Sequence, residues 1–386
     1  MTHKTNGLRI ALIGPTYPYK GGIAHYTTQL YEHLKQRHTV TFISYKKQYP
    51  AWLYPGKTDI DPSKIPIAAS KAQRIIDSTN PVTWFKAAYV IVKSKPDILI
   101  MPWWVAFWAP VYLIIISLTK IFTKIRILFI CHNVVEHESS FWKKMLTSIV
   151  LRWGNLFIVH SKEDETNLQA IIRSQQITRT FLPVGTFANQ ISKISKSEAR
   201  QILGLTGKKV ILFFGFIREY KGLRYLLEAM PSLLKSDPDI FLFIAGEFWN
   251  DKKTYTDLIE KLKIGHAVRI VDEYIPNEQV AVYFNATDIV AIPYTSATGS
   301  AIIQTAYDFG KPVVATKVGS MLDIVRDGVT GILVETKNAT QLASAIASLF
   351  KSDTYKKFEE NVISIQKTYT WNALIDKIEE IIGYKR

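Results

Sequence analysis

"KVILFFGFIREYKGLRYLLEAM", Lys209 to Met230, is an apolar run, a glycine loop and a helical pattern in succession. The run Lys209–Gly215 is apolar without alternation, as a strand buried on both faces of a parallel sheet requires. Beyond Lys221-Gly222, Leu223, Leu226, Leu227 and Met230 share one helix face. The same grammar stands near the start of the chain. Arg9–Gly14 leads through Gly21-Gly22 to a helix whose face holds Ile23, Tyr26, Leu30 and Leu34. The series of strands therefore begins twice.

Further apolar runs follow each start. In the first half they are Thr39–Tyr45, Asp97–Met101, Ile125–Ile130 and Leu156–His160. In the second they are Ile240–Gly246, Val268–Val271, Asp288–Tyr294, Pro312–Thr316 and Gly331–Glu335. Strand–helix alternation with right-handed crossovers gives doubly wound parallel sheets. The fold class expected is α/β: two Rossmann-like domains, with a ligand at a central cleft facing the carboxyl ends of both sheets. The polar stretch Asn189–Arg200 reads as the linker. This sets domains at 1–188 and 189–368, with 369–386 a last helix, opened by Thr370-Trp371-Asn372, packing back on the first domain.

At 386 residues the chain can bury two full cores. Cys131 is the only cysteine, which excludes an internal disulfide framework and a cysteine-built metal cluster. The polar start, Met1 to Gly7, passes straight into the first strand, too short a run for a signal-peptide core. Net charge is +15. Residues 1–190 hold 23 lysines and arginines against 10 acids; of the totals 48 and 33, that leaves 25 and 23 for the rest. The excess thus sits in the first half. It suits an anionic surface, a membrane or a lipid-diphosphate, or else a solvated basic face. Nucleic acid is not expected as a partner, because no nucleic-acid motif accompanies the charge. Ile98–Thr119 carries no charge and is long enough to span a bilayer. Pro102 and Pro110 interrupt it, and Trp103, Trp104 and Trp108 crowd its centre rather than its ends. Strand, short loop and a buried helix from about Ala109 is the better division.

Three loops could carry chemistry. Gly14-Pro-Thr-Tyr-Pro-Tyr-Lys20-Gly21-Gly22 puts two glycines at a helix start, where backbone N–H groups approach an anion closely; the alternative is a tight turn. It is not the dinucleotide fingerprint. Gly215 to Gly222 sets Arg218 and Lys221 beyond a strand end, a pairing of fork and point charge that suits a diphosphate, or a solvated turn. Cys131-His132-Asn133 follows another strand end, and His132 there can donate to a substrate oxygen or be held in a structural network. His132, His137, Glu136 and Glu138 do not have a zinc spacing, so no metal is expected.

These segments together resemble the retaining, nucleotide-sugar-dependent glycosyltransferases of the GT-B fold, glycosyltransferase family four (group 1). The resemblance rests on "GPTYPYKGGIAHYTTQL", "CHN", "FFGFIREYKGLRYLLEA", "IAGEF", "YFNATDIVAIPY" and "AYDFGKPVVATKVGSMLDIVRDGVTGILV", and covers nearly the whole chain except Lys46 to Lys95. It implies that Gly21 and Gly22 lie by the donor diphosphate and the acceptor, that His132 faces the donor sugar and that Lys221 binds the diphosphate. The family arginine directly after the glycine is Phe216 here, so Arg218 would take that part. Gly246, Tyr274 and Ile275 fall to the nucleotide, the last two by backbone contact to the base. The family's paired glutamates are absent: counting back from Gly310 puts Thr305 and Ala297 at their places. A threonine cannot hold a ribose diol as a carboxylate does. Thr298, Gly299 and Ser300, with Gln304 behind them, would instead cradle the sugar or phosphate at a helix N-terminus.

The resemblance implies an enzyme, a hexosyl-type transferase acting from the cytoplasm or the inner membrane face in bacterial-type surface glycan or glycolipid assembly. Its partners would be a nucleotide-sugar donor, a glycan or lipid-linked acceptor and an anionic membrane surface, with no cofactor and no metal. Two alternatives stay open. One is a GT-B protein that binds nucleotide sugar without turnover and partners another enzyme, which the missing glutamates favour. The other is a sugar-nucleotide epimerase, which lacks the acidic residues that proton abstraction would want.

Overall fold

The computed structural model describes residues 7–50, 52–54, 56–65, 71–135, 140–172, 176–185, 187, 194–249, 252–297, 300–351 and 354–384. The chain divides into two compact units. The first comprises Met1–Asp61, Pro66–Phe181 and Trp371–Arg386; the second comprises Pro62–Ile65 and Leu182–Thr370.

The first unit is built on seven strands: β1 (Arg9–Ile13), β2 (Thr39–Lys47), β3 (Gln73–Asp77), β4 (Ile98–Trp103), β5 (Arg126–Cys131), β6 (Leu156–Val159) and β7 (Gln176–Arg179). They form one sheet in the order β3-β2-β1-β4-β5-β6-β7, with every pairing parallel. Its helices are α1 (Gly22–Leu34), α2 (Pro81–Ser94), α3 (Ala109–Phe122), α4 (Phe141–Leu151) and α5 (Lys162–Ile171). The six residues of β4 are all buried, which is why its sequence is unbroken by polar side chains. The uncharged stretch 98–119 is thus strand β4, a short 3-10 turn and helix α3. Among the described residues no helix is long and apolar enough to cross a membrane.

The second unit carries β8 (Lys209–Phe214), β9 (Ile240–Ala245), β10 (Val268–Val271), β11 (Ile289–Ile292), β12 (Val313–Thr316) and β13 (Gly331–Val334). Their order is β10-β9-β8-β11-β12-β13, again all parallel. The helices here are α6 (Lys196–Leu203), α7 (Leu223–Ser236), α8 (Lys252–Lys261), α9 (Asn277–Ala286), α10 (Ala301–Asp308), α11 (Met321–Ile324), α12 (Ala339–Phe350) and α13 (Thr354–Gln366). Leu223, Leu226, Leu227 and Met230 of α7 are fully buried against the sheet, as their spacing requires. The chain enters this unit at Leu182, ahead of the polar stretch that begins at Asn189.

The last helix, α14 (Trp371–Ile382), belongs to the first unit and lies against α1. Arg37 reaches Asp376 at 2.6 Å and Glu379 at 3.4 Å, and Arg126 donates to the Ile382 carbonyl at 2.7 Å.

Candidate active site

Strand β8 is followed by Gly215, whose φ of 95° favours glycine. A 3-10 turn over Glu219–Lys221 then leads to Gly222 at φ 67°, the N-cap of α7. A Cβ on Gly222 would stand 1.9 Å from the Pro293 carbonyl oxygen. The loop therefore presses on the end of β11, and Thr295 fastens it there. Its N–H donates to the Tyr220 carbonyl at 2.7 Å and its hydroxyl to the same oxygen at 3.2 Å. Gly246, following β9, makes the matching close approach: its Cβ would lie 2.0 Å from the Gly215 carbonyl oxygen.

This packing sets Lys221 inside the loop with only 8% of its surface exposed. Its Nζ is 5.5 Å from the centroid of the Tyr294 ring and 3.4 Å from the point where Gly215 would carry a Cβ. No carboxylate among the described residues pairs with it. Burial first, and the Arg218 charge second, push its pKa down to about 7. Arg218 lies over two aromatic rings, 5.1 Å from the Tyr220 centroid and 5.4 Å from that of Trp249. Phe216 lies tilted against Trp249 at 4.5 Å and approaches Tyr274 at 5.8 Å, and Ile275 beside it is buried. The result is an aromatic wall holding two cations at the uncapped N-terminus of α7. Such an arrangement can neutralise an anion of more than one charge.

Helix α10 starts close by, because Ile302 reaches within 3.3 Å of the same Gly215 Cβ position. Ser300 is its N-cap, buried, with no side-chain cap bond, and no acid stands in the first turn. The Gln304 Oε1 is buried and has no hydrogen-bond partner among the described residues. Thr305 spends its hydroxyl on the Ala301 carbonyl at 3.0 Å, one helical turn back. Thr298 and Gly299 lie outside the described residues. So do His137, Glu136 and Glu138.

The remaining expected residues belong to the first unit. Gly21 caps α1 at φ 103°, and a Cβ there would meet nothing within 4 Å; Gly22 is the first residue of the helix. His132 follows β5 and donates its backbone N–H to the Trp103 carbonyl at 2.8 Å. Its ring meets Tyr26 edge-on at 4.6 Å and His160 at 5.5 Å, while Tyr26 also touches Trp371 at 5.2 Å. The His132 Nε2, His160 Nε2, Tyr26 Oη and Trp371 Nε1 are all buried without a partner among the described residues. Burial, then His160, holds the His132 pKa well below the ordinary value, and burial pushes His160 down to about 4. Both rings are neutral near pH 7, so each Nε2 offers a ligand a donor or an acceptor rather than a positive charge. Among the described residues no cluster of histidine, cysteine or acids could hold a metal ion.

Tyr26, His160 and Trp371 around His132, and Tyr294 and Trp249 around the cations, are site neighbours that the sequence motifs do not mark as such. One signal was present for His160. It ends the apolar run of β6, and β6 pairs with β5 in parallel, so its ring falls beside that of His132.

Residues 195–381 match the model of the glycosyl transferases group 1 family. The matched segment contains Lys221, Arg218 and α10. D-inositol 3-phosphate glycosyltransferase of Corynebacterium diphtheriae is 32% identical over 193 residues, 48% of this chain and 45% of that enzyme. The matched part thus spans less than half the length of that relative. Among solved structures, sucrose-phosphate synthase of Thermosynechococcus elongatus aligns at 19% identity and a TM-score of 0.71, covering 97% of this chain and 98% of that one. Anabaena HepE in complex with UDP and glucose aligns at 17% and 0.74, covering 97% and 99%. The fold is that of the GT-B structures, two parallel-sheet α/β domains.

Proposed function

We propose that this chain is a glycosyltransferase that moves a hexosyl-type sugar from a nucleotide donor to a hydroxyl acceptor with retention at the anomeric carbon. Surface glycan or glycolipid assembly of the bacterial type is the setting we infer. The observation that carries the reading is Lys221: a lysine buried beside a glycine loop, with no described carboxylate to pair with it. A buried ammonium without a partner is costly, and a donor diphosphate would supply the missing charge. Lys221 and Arg218 would then stabilise the charge developing on the leaving diphosphate, a role typically worth ~2.7–4 kcal/mol per well-placed donor. Retention of this kind asks for no protein nucleophile, since the leaving diphosphate assists attack on its own face. Tyr274 and Ile275 would meet the base through their backbone, Gly246 would leave room for the nucleotide, and Ser300 with Gln304 would hold sugar hydroxyls. No resident metal is invoked. The match to group 1 transferases over 195–381 and the UDP and glucose held by HepE support a nucleotide-sugar donor.

A second reading, donor binding without turnover, is favoured by one observation. Thr305 stands where a ribose-binding acid is expected, and its hydroxyl is already committed to the helix backbone. Incubation with a panel of nucleotide sugars separates the two, with products read by mass spectrometry. Transfer or donor hydrolysis that disappears in Lys221→Ala supports the enzyme. Nucleotide retained by the protein with no product from any donor supports the second reading.

A further inference from the structure

The outer helix layer of the first unit exposes large apolar side chains at the starts of two helices and at the end of a third. Helix α2 buries Trp84, Ala87, Ala88 and Ile91 but leaves Val82, Phe85 and Tyr89, one helical stripe, 73%, 54% and 63% exposed. Helix α3 packs against α2 and ends in Ile121 and Phe122, 71% and 69% exposed. Helix α4 packs in turn against α3 and opens with Phe141 and Trp142, 75% and 66% exposed. Trp153, just beyond α4, is bound to the end of α3: Lys120 donates to its carbonyl at 2.8 Å and sits 5.6 Å from its ring. The three helices are consecutive crossovers of one parallel sheet, so they run side by side as a single layer. In the second unit Ile65, Ile202, Leu322, Val329 and Ile363 are exposed, each from a different stretch of the chain.

Charge decides what such a face meets. Segments 81–95, 109–124 and 140–153 hold three, two and three lysines or arginines and no aspartate or glutamate. Asp97, the next acid after α2, is bound to Arg9. A second copy of the same face would bring cations against cations. A bilayer rich in anionic phospholipid matches both properties: its headgroups attract the lysines and its interface takes tryptophan, phenylalanine and aliphatic side chains.

We propose that α2, α3 and α4 form a docking face for an anionic membrane, with Phe141 and Trp142 entering the interface and the surrounding lysines on the headgroups. This stands apart from the donor-site reading, because docking requires neither nucleotide nor turnover.

Flotation of the full chain with phosphatidylcholine vesicles, with and without phosphatidylglycerol, tests it. Association with the phosphatidylglycerol vesicles should be at least about tenfold stronger and should weaken as salt rises. The double variant Phe141→Ser, Trp142→Ser should bind those vesicles about tenfold less, whereas Ile202→Ser, Leu322→Ser should bind as the parent does. An unchanged melting temperature in both variants keeps the comparison about the surface. Equal binding to the two vesicle types overturns the proposal, as does parental binding by the Phe141/Trp142 variant. So does a stable dimer that this variant dissolves, or retention of the face on an oligonucleotide in place of vesicles.

Discussion

The ammonium of Lys221 lies 5.5 Å from the centre of the Tyr294 ring, buried, with no described carboxylate to answer it. The ring face offers partial compensation. It does not offer what an anion would, and the depressed pKa reports the difference.

Removal of this charge should therefore stabilise the protein. The folded-state pKa is near 7 against an ordinary 10.5, so at intermediate pH the unfolded chain binds a proton that the folded one releases. Stability then rises as pH climbs from 7 to 10.5. Lys221→Met should gain about 1–3 kcal/mol at pH 7, and the gain should shrink toward pH 10.5. Chemical denaturation of parent and variant at the two pH values measures it. A loss of stability at pH 7 would make Lys221 a structural residue.

Thr305 should matter little to the donor. Its hydroxyl bonds the Ala301 carbonyl in the helix, and its side chain is nearly buried. Thr305→Ala should change nucleotide affinity by less than about threefold, since a net hydrogen bond to a ligand is worth about 1 kcal/mol and none is expected here. A tenfold loss measured by calorimetry would place its hydroxyl on the nucleotide.

The histidines of the first unit should stay neutral in mild acid. Burial keeps the His160 pKa near 4 and His132 well below 6.5. Below 6.5 the unfolded chain takes up protons that these rings refuse, so they cost stability as pH falls from 6.5 toward 4. Asp164, its carboxyl pushed up to about 6 by burial, works the other way in the same unit, adding stability as pH falls through 6. The double variant His132→Gln, His160→Gln should show a shallower acid limb than the parent. Ring resonances of His160 that titrate at pH 6 or above in an NMR series would refute the assignment.

What could be read from sequence follows from burial. All six strands of the second unit fall within apolar runs: β8, β9, β11 and β12 are buried along nearly their whole length, and the edge strands β10 and β13 keep mostly aliphatic residues although they are less buried. The two strands not foreseen are β3 and β7, the edges of the first sheet. Only Ile76 of β3 is fully buried, and no residue of β7 is, so neither writes an apolar run into the sequence. Helix α2 went unseen with β3, inside a stretch where no motif stood. In the site, the glycines and cations were legible because loops beyond strand ends need particular residue types. The isolation of Lys221 was not, for it depends on Tyr294 and Gly215 meeting across two strands. Nor was the occupied hydroxyl of Thr305, which a helical bond decides.

The most direct test of the account is the linkage between diphosphate and proton at Lys221. Calorimetric titration with UDP at pH 7.5 to 9, in buffers of different ionisation heats, measures both affinity and proton uptake (these pH values lie above the depressed lysine pKa of about 7). The account predicts uptake of about one proton per UDP and an affinity that falls roughly tenfold per pH unit, with both effects lost in Lys221→Met. UDP binding of parental strength in Lys221→Met, with no proton taken up by either protein, would contradict it.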